Sequence, residues 1–127
     1  MTWFRRDILA GGLALAAIPS VPSAPGAAPM HGLIGRIRAT PGQRDALLAI
    51  LLEATAAMPG CLSYVVATDP ADADAIWITE IWDGKESHRA SLRLPQVRAA
   101  VARARPLIAG FDSQTETVPV GGVGLAR

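Results

Sequence analysis

The sequence predicts an α+β fold of the ferredoxin-like kind, β-α-β-β-α-β, with one antiparallel four-stranded sheet. Three observations carry this. Four short stretches are strand-like in pattern or composition, at 31–39, 61–68, 76–82 and 111–120. Two longer stretches, within 40–58 and 83–110, repeat apolar residues at helical spacing. Their order along the chain is that of the split β-α-β unit, which places both helices on one face of the sheet.

Each element has a local cause. In "HGLIGRIRA", Leu33, Gly35 and Ile37 point to one face and Ile34, Arg36 and Arg38 to the other. In "TPGQRDALLAILLEATAAM", Thr40 is placed to cap a helix and Pro41 suits its first turn. Leu47, Ile50, Leu51, Ala54 and Met58 form its stripe, and Pro59-Gly60 stops it. "CLSYVVAT" and "IWITEIW" flank the polar turn "DPADADA" and read as a hairpin. The second helical stretch is broken at Pro95 and ended by Pro106; Leu94, Val97, Val101 and Ala104 are its stripe. A fourth strand is expected over 111–120, with Phe111, Ser113, Thr115 and Thr117 sharing a face. The sheet face away from the helices needs a cover, and a second copy is the simplest, so a homodimer through sheet faces is expected.

Residues 1–29 are expected to be an export signal and linker. Arg5 and Arg6 precede an uncharged apolar run, Ile8 to Ile18, that is too short to span a bilayer. Pro19, Pro22, Pro25 and Pro29 then exclude a helix. The pair resembles a twin-arginine signal, which implies a periplasmic or extracellular protein without stable membrane insertion. A start at Met30 would leave the domain cytoplasmic. The folded domain is expected over 30–120 and a flexible tail over 121–127.

From Met30 onward, ten basic residues balance ten acidic ones. This near-neutrality argues against a nucleic-acid partner. The single cysteine, Cys61, excludes an internal disulfide and offers no metal cluster. Asp69, Asp72 and Asp74 lack the spacing of a calcium loop and read as a polar turn.

The passage from "GLIGRIRATPG" through "PGCLSY" to "EIWDGKES" resembles the antibiotic biosynthesis monooxygenase domain, over about residues 31–118. The resemblance, closest to quinol monooxygenase-like members, implies a dimeric α/β barrel of two ferredoxin-like units. It implies O₂-dependent oxidation of anthrones or hydroquinones without flavin, metal or haem, so no cofactor is expected. In anthrone-oxidising members the implicated residues are an asparagine four positions before a tryptophan, that tryptophan, and a tyrosine six positions after it. Here Trp82 matches, Ile78 stands at the asparagine position and His88 at the tyrosine position. The chain contains no asparagine at all.

Six residues are therefore candidates. Trp82 would wall an aromatic pocket and offer its N–H, or simply pack the sheet end. Glu80 shares its face and is a candidate general base, or half of an ion pair with Arg36 or Arg38. His88 is a candidate acid/base, or a solvated helix residue. Arg36 would stabilise negative charge on a small aromatic substrate. Tyr64 and Ile78 would line the pocket, or pack in the core. The same barrel holding a hydrophobic ligand without chemistry is the alternative; a cavity of roughly 300 Å³ or more beside Trp82 and His88 favours a ligand over a filled interior.

Overall fold

The alternating and helix-spaced stretches form the elements of a computed structural model that describes residues 29–125. They run β1 (His31–Ala39), α1 (Arg44–Ala54), β2 (Cys61–Thr68), β3 (Ala75–Trp82), α2 (Lys85–Ser91), α3 (Pro95–Ala104), a 3-10 turn (Arg105–Leu107) and β4 (Ile108–Thr117). The strands make one antiparallel sheet in the order β2-β3-β1-β4. This is the ferredoxin-like fold, with the sheet open rather than closed on itself. The expected export signal and linker, residues 1–29, lie outside the described residues except for Pro29. Among those described, no helix is long and apolar enough to cross a membrane.

Strand alternation sorts the sheet into two faces. Ile37 and Ala39 of β1 and Ile76 and Ile78 of β3 pack with Leu47 of α1 and Ala104 of α3 as the core. Leu47 and Ile76 are fully buried. Ile34, Val65 and Trp77 lie exposed on the opposite face.

That outer face is tied by charge. Arg36 pairs with Asp69 at 3.3 Å, Asp72 at 3.2 Å and Asp112, and lies 5.8 Å from the Trp77 ring centre. Arg38 reaches Asp72 at 2.9 Å and Asp112 at 3.0 Å. The Trp77 indole N–H donates to Asp69 at 3.0 Å. The acidic turn between β2 and β3 is thus the counter-charge for the arginines of β1. Arg44 adds a further tie, donating to the Asp72 carbonyl at 2.8 Å.

Four boundaries differ from expectation. The first helix begins at Arg44 because Gly42, at φ 79°, belongs to a turn in which Gln43 N–H donates to Thr40 O at 3.0 Å. Thr40 therefore does not cap it. The helix ends at Ala54 rather than near Met58, and the Thr55 hydroxyl donates back to Leu51 O at 2.6 Å. In the second stripe Ala100 is buried while Val101 is exposed. β4 begins three residues early, at Ile108, and ends at Thr117, before Pro119. Its register with β1 shifts at Asp112: Ile37 faces Phe111 but Arg36 faces Ser113. This bulge breaks the expected shared face of Phe111 and Ser113.

Two stability outcomes follow from these contacts. Leu47→Ala should cost about 2–5 kcal/mol in a urea melt, while exposed Leu52→Ala should stay within about 0.5 kcal/mol. Asp69 is held below the usual carboxylate range by the Ala71 N–H, then by Trp77 and Arg36. Asp72 is held low by the Asp74 N–H, then by Arg38 and Arg36. Their contribution is full above the unfolded value of about 3.9 and is lost as pH falls through the lowered folded values. In acid titrations followed by circular dichroism, Asp69→Asn and Asp72→Asn should flatten that loss.

Candidate active site

The alternation that buries Ile76 and Ile78 carries on to Glu80 and Trp82, so a carboxylate and an indole reach the helix side of the sheet. Across the sheet, Tyr64 of β2 and Leu33 of β1 stand opposite Glu80. Between this surface and the helices lies a cavity of about 670 Å³. Its wall includes Tyr64, Ile78, Glu80, Trp82 and His88, with Leu51 from α1 and Val101 from α3. The volume is within the range of small-molecule sites and above the threshold that separates a ligand-holding interior from a filled one.

The Pro59-Gly60 turn sets where His88 stands. Gly60 has φ 82°, and a Cβ there would collide with Ser87 and meet Asp83 Oδ1 at 2.9 Å. Asp83 N–H donates to Gly60 O at 2.9 Å. The start of β2 therefore lies against the first turn of α2, one residue before His88.

Within the cavity wall, Trp82 is only 1% exposed, and its Nε1–H donates to Glu80 Oε1 at 3.0 Å. His88 Nε2 is 3.9 Å from the same oxygen, and the His88 and Trp82 ring centres are 5.4 Å apart. Burial pushes the Glu80 carboxyl above its ordinary value, against the opposing pull of the Trp82 hydrogen bond and nearby His31. Burial pushes His88 below its ordinary value, so it is a neutral imidazole at neutral pH. Burial, then the Glu80 charge, holds the Tyr64 phenol protonated well beyond the usual range. The wall thus combines a carboxylate of increased basicity, a neutral imidazole and a hydroxyl that remains a donor.

Five of the six sequence candidates meet in this cavity. Arg36 does not. It lies on the outer face, opposite Trp77 in the β1–β3 register, whereas Glu80 faces inward opposite Leu33. Strand parity forbids an Arg36–Glu80 or Arg38–Glu80 pair, and both arginines take aspartates instead. The Trp82 N–H, expected to face a ligand, is engaged by Glu80. Cys61 lies outside the cavity wall, and burial raises its thiol. Among the described residues no cluster of three or more His, Cys, Asp or Glu could hold a metal ion.

His31 escaped the sequence reading, which placed no role on the start of the first strand. It is 7% exposed, and its ring centre lies 5.4 Å from that of His88. Its parity with Leu33 and Ile37 was the available signal, since period two puts all three on the helix side.

The comparisons with known proteins agree with the fold. The family model described as "Antibiotic biosynthesis monooxygenase" matches residues 30–103, more than half of the chain. A crystal structure from Chloroflexus aurantiacus, assigned by name only as an antibiotic biosynthesis monooxygenase, is 68% identical. The match covers 76% of this chain and 99% of that one, at a TM-score of 0.75. A Pseudomonas aeruginosa structure is 20% identical over 75% of this chain and 98% of that one, at a TM-score of 0.66, and shares the fold. So does a mutant of SnoaB, a cofactor-independent oxygenase from Streptomyces nogalater, at 13% identity, coverage of 76% and 98%, and a TM-score of 0.60. No curated protein sequence matches the chain. The extent of the family match and the identity to the Chloroflexus aurantiacus protein place the chain: it belongs to the antibiotic biosynthesis monooxygenase family.

Proposed function

We propose that the protein is a quinol monooxygenase-like member of the family that oxidises a phenolic or quinol-type aromatic with O₂ and requires no cofactor. The observation that carries this reading is the cavity of about 670 Å³ with Glu80 and His88 side by side on a mostly apolar wall. An electron-rich phenolate reduces oxygen by itself, so the protein's tasks are to bind the ring, remove its proton and stabilise the charge. Trp82 and Ile78 bound the ring. The Glu80–His88 pair accepts the proton, and the Tyr64 hydroxyl, still protonated, donates to the developing oxyanion. At an anthrone-type carbon, one oxygen atom becomes the new carbonyl and the other leaves as water with the two hydrogens of the CH₂ group.

The reading includes a homodimer and export. The exposed Ile34, Val65 and Trp77 on the open sheet support a second copy seated there. Arg5, Arg6 and the apolar run after them support a twin-arginine signal and a periplasmic or extracellular location.

One observation favours the alternative, a non-catalytic binder of small hydrophobic ligands. Ile78, where anthrone-oxidising members carry asparagine, is 6% exposed and removes a polar donor from the cavity wall.

Oxygen uptake by the full chain over hydroquinones and anthrones separates the two. Oxidation above the uncatalysed rate, reduced about 100-fold or more in kcat/KM by His88→Ala and strongly by Trp82→Ala, supports the enzyme. Binding of the same compounds by tryptophan fluorescence, with no oxygen consumed, supports the binder. The pH profile adds a check. The base must be unprotonated, so kcat/KM should rise from acid toward neutral pH, with an apparent value that belongs to the pair. Glu80→Gln should leave a single ionisation. A rate that falls as pH rises through this window is incompatible with the assigned roles.

A further inference from the structure

We propose that His31 and Glu116 form the route by which protons pass between the cavity and solvent. The proposal rests on the oxidase reading of Glu80 and His88 and extends it to two residues that do not line the cavity. His31 sits behind His88, its side chain 8% exposed, with the two ring planes tilted by 40°. On its other side, Nδ1 is 3.6 Å from Glu116 Oε1, whose side chain is half exposed on β4. Lys85, from the first turn of α2, reaches the same oxygen at 2.9 Å. The order from cavity to water is therefore Glu80, His88, His31, Glu116.

Each link comes from the register. His31 stands opposite Trp82, so it lies at the end of the sheet where α2 begins. Leu33 faces Glu80 on one side and Glu116 on the other, which brings both carboxylates to the same end of β1. A buried imidazole at this position is costly where an apolar side chain would pack as well. Its two neighbours explain it: the His88 ring on one side and the Glu116 carboxylate on the other. The charged and titratable groups around it are Glu80 of β3, His88 and Lys85 of α2 and Glu116 of β4.

The transfer balances as a proton movement alone. The substrate O–H bond breaks and an N–H bond forms on His88. His88 passes the proton to His31, and His31 releases it to water or buffer beside Glu116; a proton returns by the same path when the second oxygen atom leaves as water, so the cycle releases none and resets both rings. The 5.4 Å between the His88 and His31 ring centres and the 3.6 Å from His31 to Glu116 are closed by a bridging water or a small ring rotation.

The test uses the full chain with His31→Gln and Glu116→Gln, each checked for an unchanged melting temperature. In dilute buffer His31→Gln should lower kcat about 10- to 100-fold with KM unchanged, and added imidazole should restore it, while the parent chain is insensitive to imidazole. Glu116→Gln should show a smaller deficit, also restored. An unchanged kcat, or a loss that imidazole does not restore, overturns the route. A second readout is independent of turnover: NMR titration of the histidine ring protons. Removing His31 should move the His88 midpoint. Independent midpoints overturn the proposal even if oxidation is observed. If the parent chain consumes no oxygen, the oxidase reading fails while the coupled midpoints still decide whether the two rings share a proton.

Discussion

A carboxylate on the buried face of a central strand is the constraint around which the site is arranged. Glu80 cannot turn outward without also turning Ile76, Ile78 and Trp82 into solvent, because successive side chains of a strand alternate between faces. It therefore stays inside, where an unpartnered acid is costly. The Trp82 indole supplies one hydrogen bond from two residues along the same strand, and His88 approaches from α2. The cavity, the tryptophan and the histidine are thus linked to a single strand register.

The two faces of the sheet divide the electrostatics. Outside, Arg36 and Arg38 are matched by Asp69, Asp72 and Asp112 in a network that joins β1, β4 and the β2–β3 turn. Inside, charge is sparse, and burial moves Glu80 and His88 toward each other in proton affinity. Groups drawn closer in affinity exchange a proton at lower cost, as the proposed general base role requires. Mixing the faces would defeat this: an arginine beside Glu80 would lower its basicity.

Most of the fold was legible because its causes are local. Period two in 31–39 and 76–82, helical spacing in 44–54 and 95–104 and the Pro59-Gly60 stop are all properties of short windows. Five candidates meet in one cavity because of parity on β3, its hairpin partner and the position of His88 after Trp82. The misplacement of Arg36 was an error of pairing logic, since parity within its own strand was read correctly but the register to Glu80 was not available. The bulge at Asp112 was invisible for a related reason, because an extra residue shows only when two strands are aligned. Gly42 moved the helix start, since a turn closed by backbone hydrogen bonds leaves little trace in composition.

Among the described residues, the strand order β2-β3-β1-β4 leaves two unpaired edges of unequal character. The β4 edge is interrupted by irregularities near Ala109 and Asp112 and carries charge at Asp112 and Glu116, features that discourage another chain from pairing there. From Ser63 to Thr68 the β2 edge is regular and holds neither charge nor proline. Such a segment is a template for strand addition between copies. The colloidal behaviour of the protein at high concentration is therefore set at this edge, by backbone groups that take no part in the chemistry of the cavity.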